Sequence, residues 1–185
     1  QAMLRGAQVT LVTGDTALEP PMFTEVVSVV TAEEMYQEVI ARAPKVDIII
    51  KAAAVADYRP SVVVEDKIKK SEVDACIALE RTRDILGELG RRKARGELQA
   101  YLCGFSMETR DLEENSKAKL SKKHLDMVAA NNLKVEGAGF GTDTNVLTLI
   151  TDSAVTHLEK MSKEEAADKI LDVIVKEGLY EEIGK

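Results

Sequence analysis

Short apolar runs alternate along this chain with longer segments in which apolar residues recur at helical spacing. Most of the runs are apolar on both faces, which is typical of strands buried in a parallel sheet. The predicted strands cover residues 9–12, 26–30, 46–54, 98–105 and 127–130. Because helical segments separate them, the pattern predicts an α/β fold.

Helix starts and turns refine this outline. Residues 31–34 and 162–165 have the Ser/Thr-x-x-Glu spacing of capping boxes. Thr82 is predicted to cap a helix that ends at Gly90, and a lysine-rich helix is predicted over 111–124. The remaining predictions are a long loop over 57–70, a strand outside the main sheet over 75–79, and a hairpin over 145–150 and 154–158.

The pattern as a whole predicts a single domain, residues 1–185, with a Rossmann-like α/β fold. Its open, mainly parallel sheet would carry helices on both faces, with an added β-hairpin and flap region. In such sheets ligands bind beyond the carboxyl ends of the strands. Candidate binding residues are therefore expected just after Ile50, Leu102 and Ala130.

The composition narrows the classes of function. The chain has 185 residues, a net charge of −7, two cysteines and two histidines. The acidic balance argues against nucleic acid as a partner. No apolar run approaches the roughly 20 residues of a membrane span, so no membrane partner is expected either. Without a secretory signal or a cysteine framework, the expected compartment is the cytoplasm.

The most informative segment follows the third predicted strand. Three alanines, 52–54, would let a flat ligand approach the backbone closely, and Asp57 would accept a hydrogen bond from its polar edge. An Asx-type turn explains the same aspartate equally well. Lys67, Lys69 and Lys70 then offer cations to a polyphosphate, although a solvated charge run is the commoner reason for such a cluster.

Two further segments carry candidates. Lys119 and Lys123 lie one turn apart on a predicted helix, where a bound anion would relieve their repulsion, although a solvated helix end is commoner. The helix start at 82–86 offers free amides to a phosphate, but Asp84 would compete with it. Phe105 would pack on a nucleobase, although a core position is more usual for phenylalanine.

Taken in order, these motifs resemble those of the phosphopantothenoylcysteine synthetase family. The matching segments are 9–14 (VTLVTG), 53–59 (AAVADYR), 67–70 (KIKK), 83–85 (RDI), 104–109 (GFSMET), 119–126 (KLSKKHLD), 130–131 (AN) and 139–140 (GF). Each segment is weakly specific alone. Their ordered combination is highly specific and spans nearly the whole chain.

The resemblance implies a ligase that couples 4′-phosphopantothenate to cysteine with CTP and Mg²⁺. The carboxylate attacks the α-phosphate, and the amine of cysteine then displaces CMP from the acyl-cytidylate. The family pattern implies a catalytic role for Lys67 on the flap and leaves the metal ligands unassigned. It implies nucleotide contacts at Lys51, Ala52, Ala53, Asp57, Lys67, Arg83, Asp84, Ile85, Leu86, Phe105, Lys119 and Lys123. It further implies a homodimer and, in bacteria, fusion to a flavin-dependent decarboxylase.

Two departures from the family pattern lead to expectations of their own. The family begins with a strand, a Gly-Gly-Thr-x-Glu turn and an Asn-x-Ser-Ser-Gly-Lys-Met-Gly segment whose asparagine interacts with the acyl-cytidylate. We therefore expect this chain to lack that strand and glycine-rich segment, to lack the decarboxylase domain with its FMN, and to catalyse poorly by itself. Thr82 and Arg83 replace the Asn-Pro of many relatives, which keeps a helix start.

Two other classes of function compete with the ligase. An NAD(P)- or flavin-dependent Rossmann oxidoreductase fits the α/β pattern and the alanine-rich strand end, but the sequence has no Tyr-x-x-x-Lys pair. A non-catalytic nucleotide-binding subunit fits the absence of the asparagine segment. Cysteine-dependent release of CMP separates the three hypotheses.

Overall fold

The computed structural model describes residues 1–64, 66–67, 76–108, 111–132 and 141–179. The strands are β1 (Thr10–Thr13), β2 (Glu25–Ser28), β3 (Ile48–Lys51), β4 (Tyr58–Pro60), β5 (Leu79–Arg81), β6 (Tyr101–Glu108), β7 (Met127–Asn132), β8 (Thr144–Asn145), β9 (Leu147–Ile150), β10 (Val155–His157) and β11 (Met161–Ser162). The α-helices are α1 (Ala32–Arg42), α2 (Ile85–Ala94), α3 (Leu112–Lys122) and α4 (Lys163–Ile174). Within the described ranges, no helix has the length and apolar character needed to cross a membrane.

A five-stranded sheet lies at the centre of the described chain, in the order β10-β9-β7-β6-β3. β3, β6 and β7 are parallel, whereas β9 runs antiparallel to β7 and forms a hairpin with β10. β1 and β2 form a separate parallel pair, and β4 pairs with β5 in antiparallel fashion outside the central sheet. The predicted mainly parallel α/β sheet and its added hairpins are therefore confirmed.

Side chains alternate along the central strands between two apolar clusters, as the pleat of a strand requires. Leu102 and Val128 belong to the cluster that α1, α2 and α3 cover. Cys103 and Met127, their neighbours in sequence, belong to the cluster that α4 covers. Each face of the sheet thus has its own core, and the predicted helices on both faces are confirmed.

The prediction for the two ends of α2 is wrong. Asp84, not Thr82, caps the helix by accepting a hydrogen bond from an amide of the first turn at 2.9 Å. Thr82 instead donates from Oγ1 to the Ala56 carbonyl at 2.6 Å. The helix continues past Gly90, where a Cβ atom would lie 1.8 Å from the carbonyl oxygen of Lys123. Glycine is therefore needed here because two backbone segments approach each other closely, and it does not mark the end of the helix.

The chain leaves the central sheet earlier than predicted. β3 ends at Lys51, the last of its residues to pair with β6, rather than at residue 54. The predicted long loop contains β4, and the outer strand β5 lies at 79–81 rather than at 75–79. Both predicted capping boxes are present, at the starts of α1 and α4. Lys69 and Lys70 lie outside the described residues.

Candidate functional site

A pocket of about 620 Å³ opens at the carboxyl ends of β3, β6 and β7. This is the edge of the sheet at which the sequence predicts a ligand site. Six of the predicted site residues line the pocket, namely Lys51, Ala52, Ala53, Asp57, Phe105 and Lys119. They converge because three parallel strands end at the same edge.

Small side chains form the part of the pocket next to β3. Ala52, Ala53 and Ala54 follow the strand and are exposed, as is Asp57. Methyl side chains leave the backbone N–H and C=O groups of this segment open to a ligand, and the Asp57 carboxylate offers two acceptor oxygens. The segment thus offers hydrogen-bond donors and acceptors of the kind that a nucleoside can use. The roles of these residues in binding stay predictions.

Lys51 places an ammonium group beside the alanines. Its Nζ donates to the Ala53 carbonyl at 2.8 Å. Burial lowers the pKa of Lys51, and the ammonium group of Lys123 lowers it further. The carboxylates of Asp84 and Asp57 oppose this shift in part, and Lys119 adds the smallest lowering effect. A bound anion would therefore relieve repulsion among three cations.

Lys119 enters the same pocket from α3. Its Nζ lies 3.5 Å from Oε1 of Glu108, at the end of β6. Glu108 is held in turn by the Ser106 hydroxyl at 2.9 Å and by the Asn115 side-chain amide at 3.2 Å. These hydrogen bonds fix the position of the Glu108 carboxylate. The carboxylate in turn holds the ammonium group of Lys119 at the pocket.

Lys123, one turn further along, does not line the pocket within the described chain. Its Nζ lies 2.8 Å from Oδ2 of Asp84. Asp84 is partly buried, which raises its pKa, but Lys123 and the Gly87 amide together lower the pKa of this carboxyl below its usual value. The aspartate thus occupies the start of α2, where an anion would otherwise bind, and holds Lys123 there.

The other residues predicted at the start of α2 point away from the pocket. Arg83 lies over the ring of Tyr36, with its guanidinium carbon 3.8 Å from the ring centroid, and pairs with Glu33 at 3.0 Å. Ile85 and Leu86 are only 2% and 4% exposed and belong to the core under α1, α2 and α3. The side chains of Ile85 and Leu86 therefore serve the core, and the nucleotide contacts predicted at this helix start stay predictions.

Lys67 also lies outside the residues that line the pocket. It is exposed, and it follows β4, which belongs to the hairpin outside the central sheet. Its predicted role on a closing flap stays a prediction.

Sequence interpretation did not assign the far side of the pocket. That side includes Ser106, Met107, Asn131, Asn145, Leu147, Lys163, Ala166, Ala167 and Ile170. Asn131 offered one signal, because it directly follows the predicted strand end at Ala130. The residues of α4 offered none, because only the packing of α4 on the sheet brings them to this edge.

The pocket is cationic although the chain is acidic. Lys51, Lys119 and Lys163 line it, and Asp57 is the acidic residue among the described lining residues. The described chain contains no group of three or more histidine, cysteine, aspartate or glutamate side chains that could hold a metal ion. Such a site suits an anion, or a Mg²⁺ ion that arrives on substrate phosphates and needs few protein carboxylates.

Comparison with known proteins identifies the family of this chain. The family model described as DNA/pantothenate metabolism flavoprotein C-terminal domain matches residues 1–177. The chain is 39% identical over 175 residues to the coenzyme A biosynthesis bifunctional protein CoaBC of Bacillus subtilis (strain 168), an alignment that covers 94% of this chain and 42% of that protein. It is also 39% identical over 176 residues to a protein named cysteine/cysteine sulfinic acid decarboxylase from an unknown prokaryotic organism, covering 95% of this chain and 48% of that protein.

The chain thus spans less than half the length of these curated relatives. Among solved structures, the crystal structure of the C-terminal domain of the bifunctional protein CoaBC matches with a TM-score of 0.76 and 37% identity, covering 94% of this chain and 76% of that chain. The resemblance drawn from the motifs is confirmed at the level of the family. The chain belongs to the family of the DNA/pantothenate metabolism flavoprotein C-terminal domain.

Proposed function

We propose that this chain is the ligase part of an enzyme that couples 4′-phosphopantothenate to L-cysteine with CTP, giving phosphopantothenoylcysteine, CMP and pyrophosphate. The observation that carries the proposal is a cationic pocket with a small-residue floor at the strand ends, in a chain of this family. The names of the relatives support it. One relative is named for coenzyme A biosynthesis and another for a decarboxylase, so the proposal of a ligase rests on the cationic pocket as well as on these names.

The reaction requires positive charge at the pocket. A carboxylate is inert toward an amine until its oxygen becomes part of a good leaving group, and attack on the α-phosphate of CTP achieves this. Two anions must meet for that step, so their charges need to be neutralised. Lys51 and Lys119 offer two ammonium groups at this edge of the sheet, and Lys67 is proposed to add a third when CTP is bound.

The nucleoside is assigned to the alanine segment. The exposed backbone of Ala52 and Ala53 would read the edge of the cytosine, Asp57 would accept hydrogen bonds from its amine or from the ribose, and Phe105 would contact the ring. Mg²⁺ would arrive on the triphosphate and neutralise part of its charge.

The finer context is part of the same proposal. The bifunctional relatives support fusion to a decarboxylase domain, which would hold FMN, in the protein that contains this chain. We also propose that this protein is a homodimer and that it acts in the cytoplasm. The second candidate class, a Rossmann oxidoreductase, gains no specific support from the pocket.

Cysteine-dependent release of CMP tests the proposed function. The protein at its full encoded length is mixed with CTP, Mg²⁺ and 4′-phosphopantothenate, with and without cysteine. The proposal predicts CMP and pyrophosphate in equal amounts, with turnover only when both cosubstrates are present. Binding of CTP without turnover would instead favour a nucleotide-binding subunit, and no binding of CTP would overturn the proposal.

A further inference from the structure

The segment that carries the nucleoside contacts of the proposed function lies outside regular secondary structure. The chain leaves the central sheet at the end of β3, and residues 52–57 form neither helix nor strand. Such a segment keeps its shape through contacts with other parts of the chain. The ammonium of Lys51 supports it at the Ala53 carbonyl, and Val55 packs against the core under α1, α2 and α3. These contacts do not reach the end of the segment, where Asp57 stands.

Thr82 holds the end of this segment by two hydrogen bonds. Its hydroxyl donates to the Ala56 carbonyl at 2.6 Å, and its backbone N–H donates to the Asp57 carbonyl at 3.0 Å. The β4–β5 hairpin brings these groups together, because Tyr58 pairs with Arg81 and the next residues outward are Asp57 and Thr82. The two carbonyls belong to the peptide groups on either side of the Asp57 Cα atom. Because each peptide group is planar, the two bonds together fix the direction in which the Asp57 side chain leaves the backbone.

The carboxylate of Asp57 depends on this backbone support. Asp57 is exposed and lines the pocket, and among the described residues no hydrogen bond or ion pair holds its side chain. Thr82, in contrast, is anchored by the two residues that follow it. Arg83 lies over the ring of Tyr36 on α1, and Asp84 caps α2. The Thr82 hydroxyl therefore connects the packed helices to the segment that ends at Asp57.

We infer that Thr82 is a positioning residue for the nucleotide, whose hydroxyl holds Asp57 in the direction that CTP binding requires. The inference rests on the proposed ligase function, which assigns the nucleoside to this segment. A carboxylate on a loosely held segment would lose conformational entropy on binding a ligand, whereas one that is already held loses less. Thr82 does not line the pocket. Loss of its hydroxyl should therefore weaken nucleotide binding without removing a contact with the ligand.

The test replaces Thr82 by valine in the protein at its full encoded length. Valine keeps the shape of the side chain and the backbone N–H, and removes the hydroxyl alone. Isothermal titration calorimetry should show that Kd for CTP with Mg²⁺ rises about 3- to 10-fold, the effect expected from one hydrogen bond between neutral groups. KM for 4′-phosphopantothenate should not change. Thr82→Ser retains the hydroxyl and should restore most of the affinity for CTP.

A double-mutant cycle with Asp57→Ala shows whether the Thr82 hydroxyl acts through Asp57. Without a carboxylate to place, Thr82→Val should change Kd for CTP by less than about 2-fold. Equal weakening in the presence and absence of the Asp57 carboxylate would show that Thr82 supports the fold in general, and would overturn the inference. Unchanged affinity for CTP in Thr82→Val would overturn it too.

Ser61→Ala is the matched control. The Ser61 hydroxyl donates to the Ala78 carbonyl at 3.2 Å, at the other end of the same hairpin. This substitution also removes one hydroxyl–carbonyl bond, but one that does not hold Asp57, so Kd for CTP should not change. An equal loss of affinity in Ser61→Ala and Thr82→Val would assign the effect to the hairpin as a whole and contradict the inference. Absence of CTP binding by the unsubstituted protein would instead refute the proposed function itself.

Discussion

Two clefts of similar volume lie at opposite edges of the central sheet, about 620 Å³ at the carboxyl ends of the parallel strands and about 680 Å³ at their amino ends. They differ in how their polar groups are paired. At the amino ends, Lys93 lies 2.6 Å from Asp126 and donates to the Ala100 carbonyl at 2.9 Å. The Leu102 amide donates to the same aspartate at 2.7 Å. The charges of this cleft therefore hold the fold together.

The cleft at the carboxyl ends is arranged differently. The ammonium of Lys51 donates to a backbone carbonyl, and burial and two neighbouring lysines lower its pKa. Oδ1 of Asn131 has no partner in the described chain. Polar groups that the fold itself leaves incompletely paired are those that a ligand can satisfy. Volume alone would not have separated the two clefts.

Tyr101 provides the closest parallel in the second cleft. Its hydroxyl is buried without a hydrogen bond among the described residues. Burial raises its pKa, and the carboxylate of Glu177 raises it further. The phenol therefore stays neutral beside an acceptor that is already present, whereas Asn131 stands among apolar side chains.

The largest effect is expected from Lys119→Gln, which removes a cation from the first cleft. Charge-assisted contacts with a phosphate contribute about 1.5–3 kcal/mol, so kcat/KM for CTP should fall about 10- to 100-fold. Lys117→Gln is the control, because Lys117 lies on the same helix, 56% exposed and 3.9 Å from Glu113. Steady-state kinetics compare the two variants. Equal losses in both would show that the effect comes from overall charge rather than from the pocket.

Asp126→Ala tests the opposite cleft. It removes the partner of Lys93 and of the Leu102 amide, so the free energy of unfolding should fall by about 1–3 kcal/mol. KM for CTP and for 4′-phosphopantothenate should not change. Urea unfolding and kinetics measure the two quantities. A specific rise in either KM would show that the second cleft belongs to the active site. The two clefts would then no longer differ in function.

Chemical labelling of lysines compares the two clefts directly, and the expected difference is smaller than the effects of the substitutions above. Because the pKa of Lys51 lies below the ordinary value for lysine, a larger fraction of its amine is neutral at mildly alkaline pH. An amine-reactive reagent should therefore modify Lys51 before Lys93, whose ammonium is held by Asp126. Mass spectrometry reads the order of modification. Mg²⁺ with CTP should protect Lys51, because a bound anion favours the charged amine and blocks access.

The fold and the near side of the pocket were predictable from the sequence because their signals are local. Apolar runs marked β3, β6 and β7, and the alanines after β3 marked a strand end open to a ligand. The capping residue of α2 was mispredicted because Thr82 and Asp84 are both common N-cap residues, and their preferences differ too little to place the first turn from the sequence. Thr82 is engaged by Ala56 instead, through a hairpin that the loop assignment had missed.

The other features that the sequence did not predict depend on contacts between residues far apart in the chain. Lys123 pairs with Asp84 across 39 positions of sequence, so its spacing from Lys119 did not reveal that it is engaged. The side of the pocket opposite the alanines depends on α4, which β8, β9, β10 and β11 separate from β7 along the chain. A pattern of apolar positions predicts that such a helix packs on the sheet, but not which of its residues reach the ligand edge.

The central claim is that the pocket at the carboxyl ends selects CTP through the alanine segment and Asp57. Isothermal titration calorimetry of CTP and of ATP, each with Mg²⁺, tests it most directly in the full-length protein and in its Asp57→Asn variant. The account predicts that CTP binds more tightly than ATP and that Asp57→Asn weakens CTP about 10-fold with an unchanged melting temperature. Equal affinity of the two proteins for CTP, or no binding of either nucleotide, would contradict it.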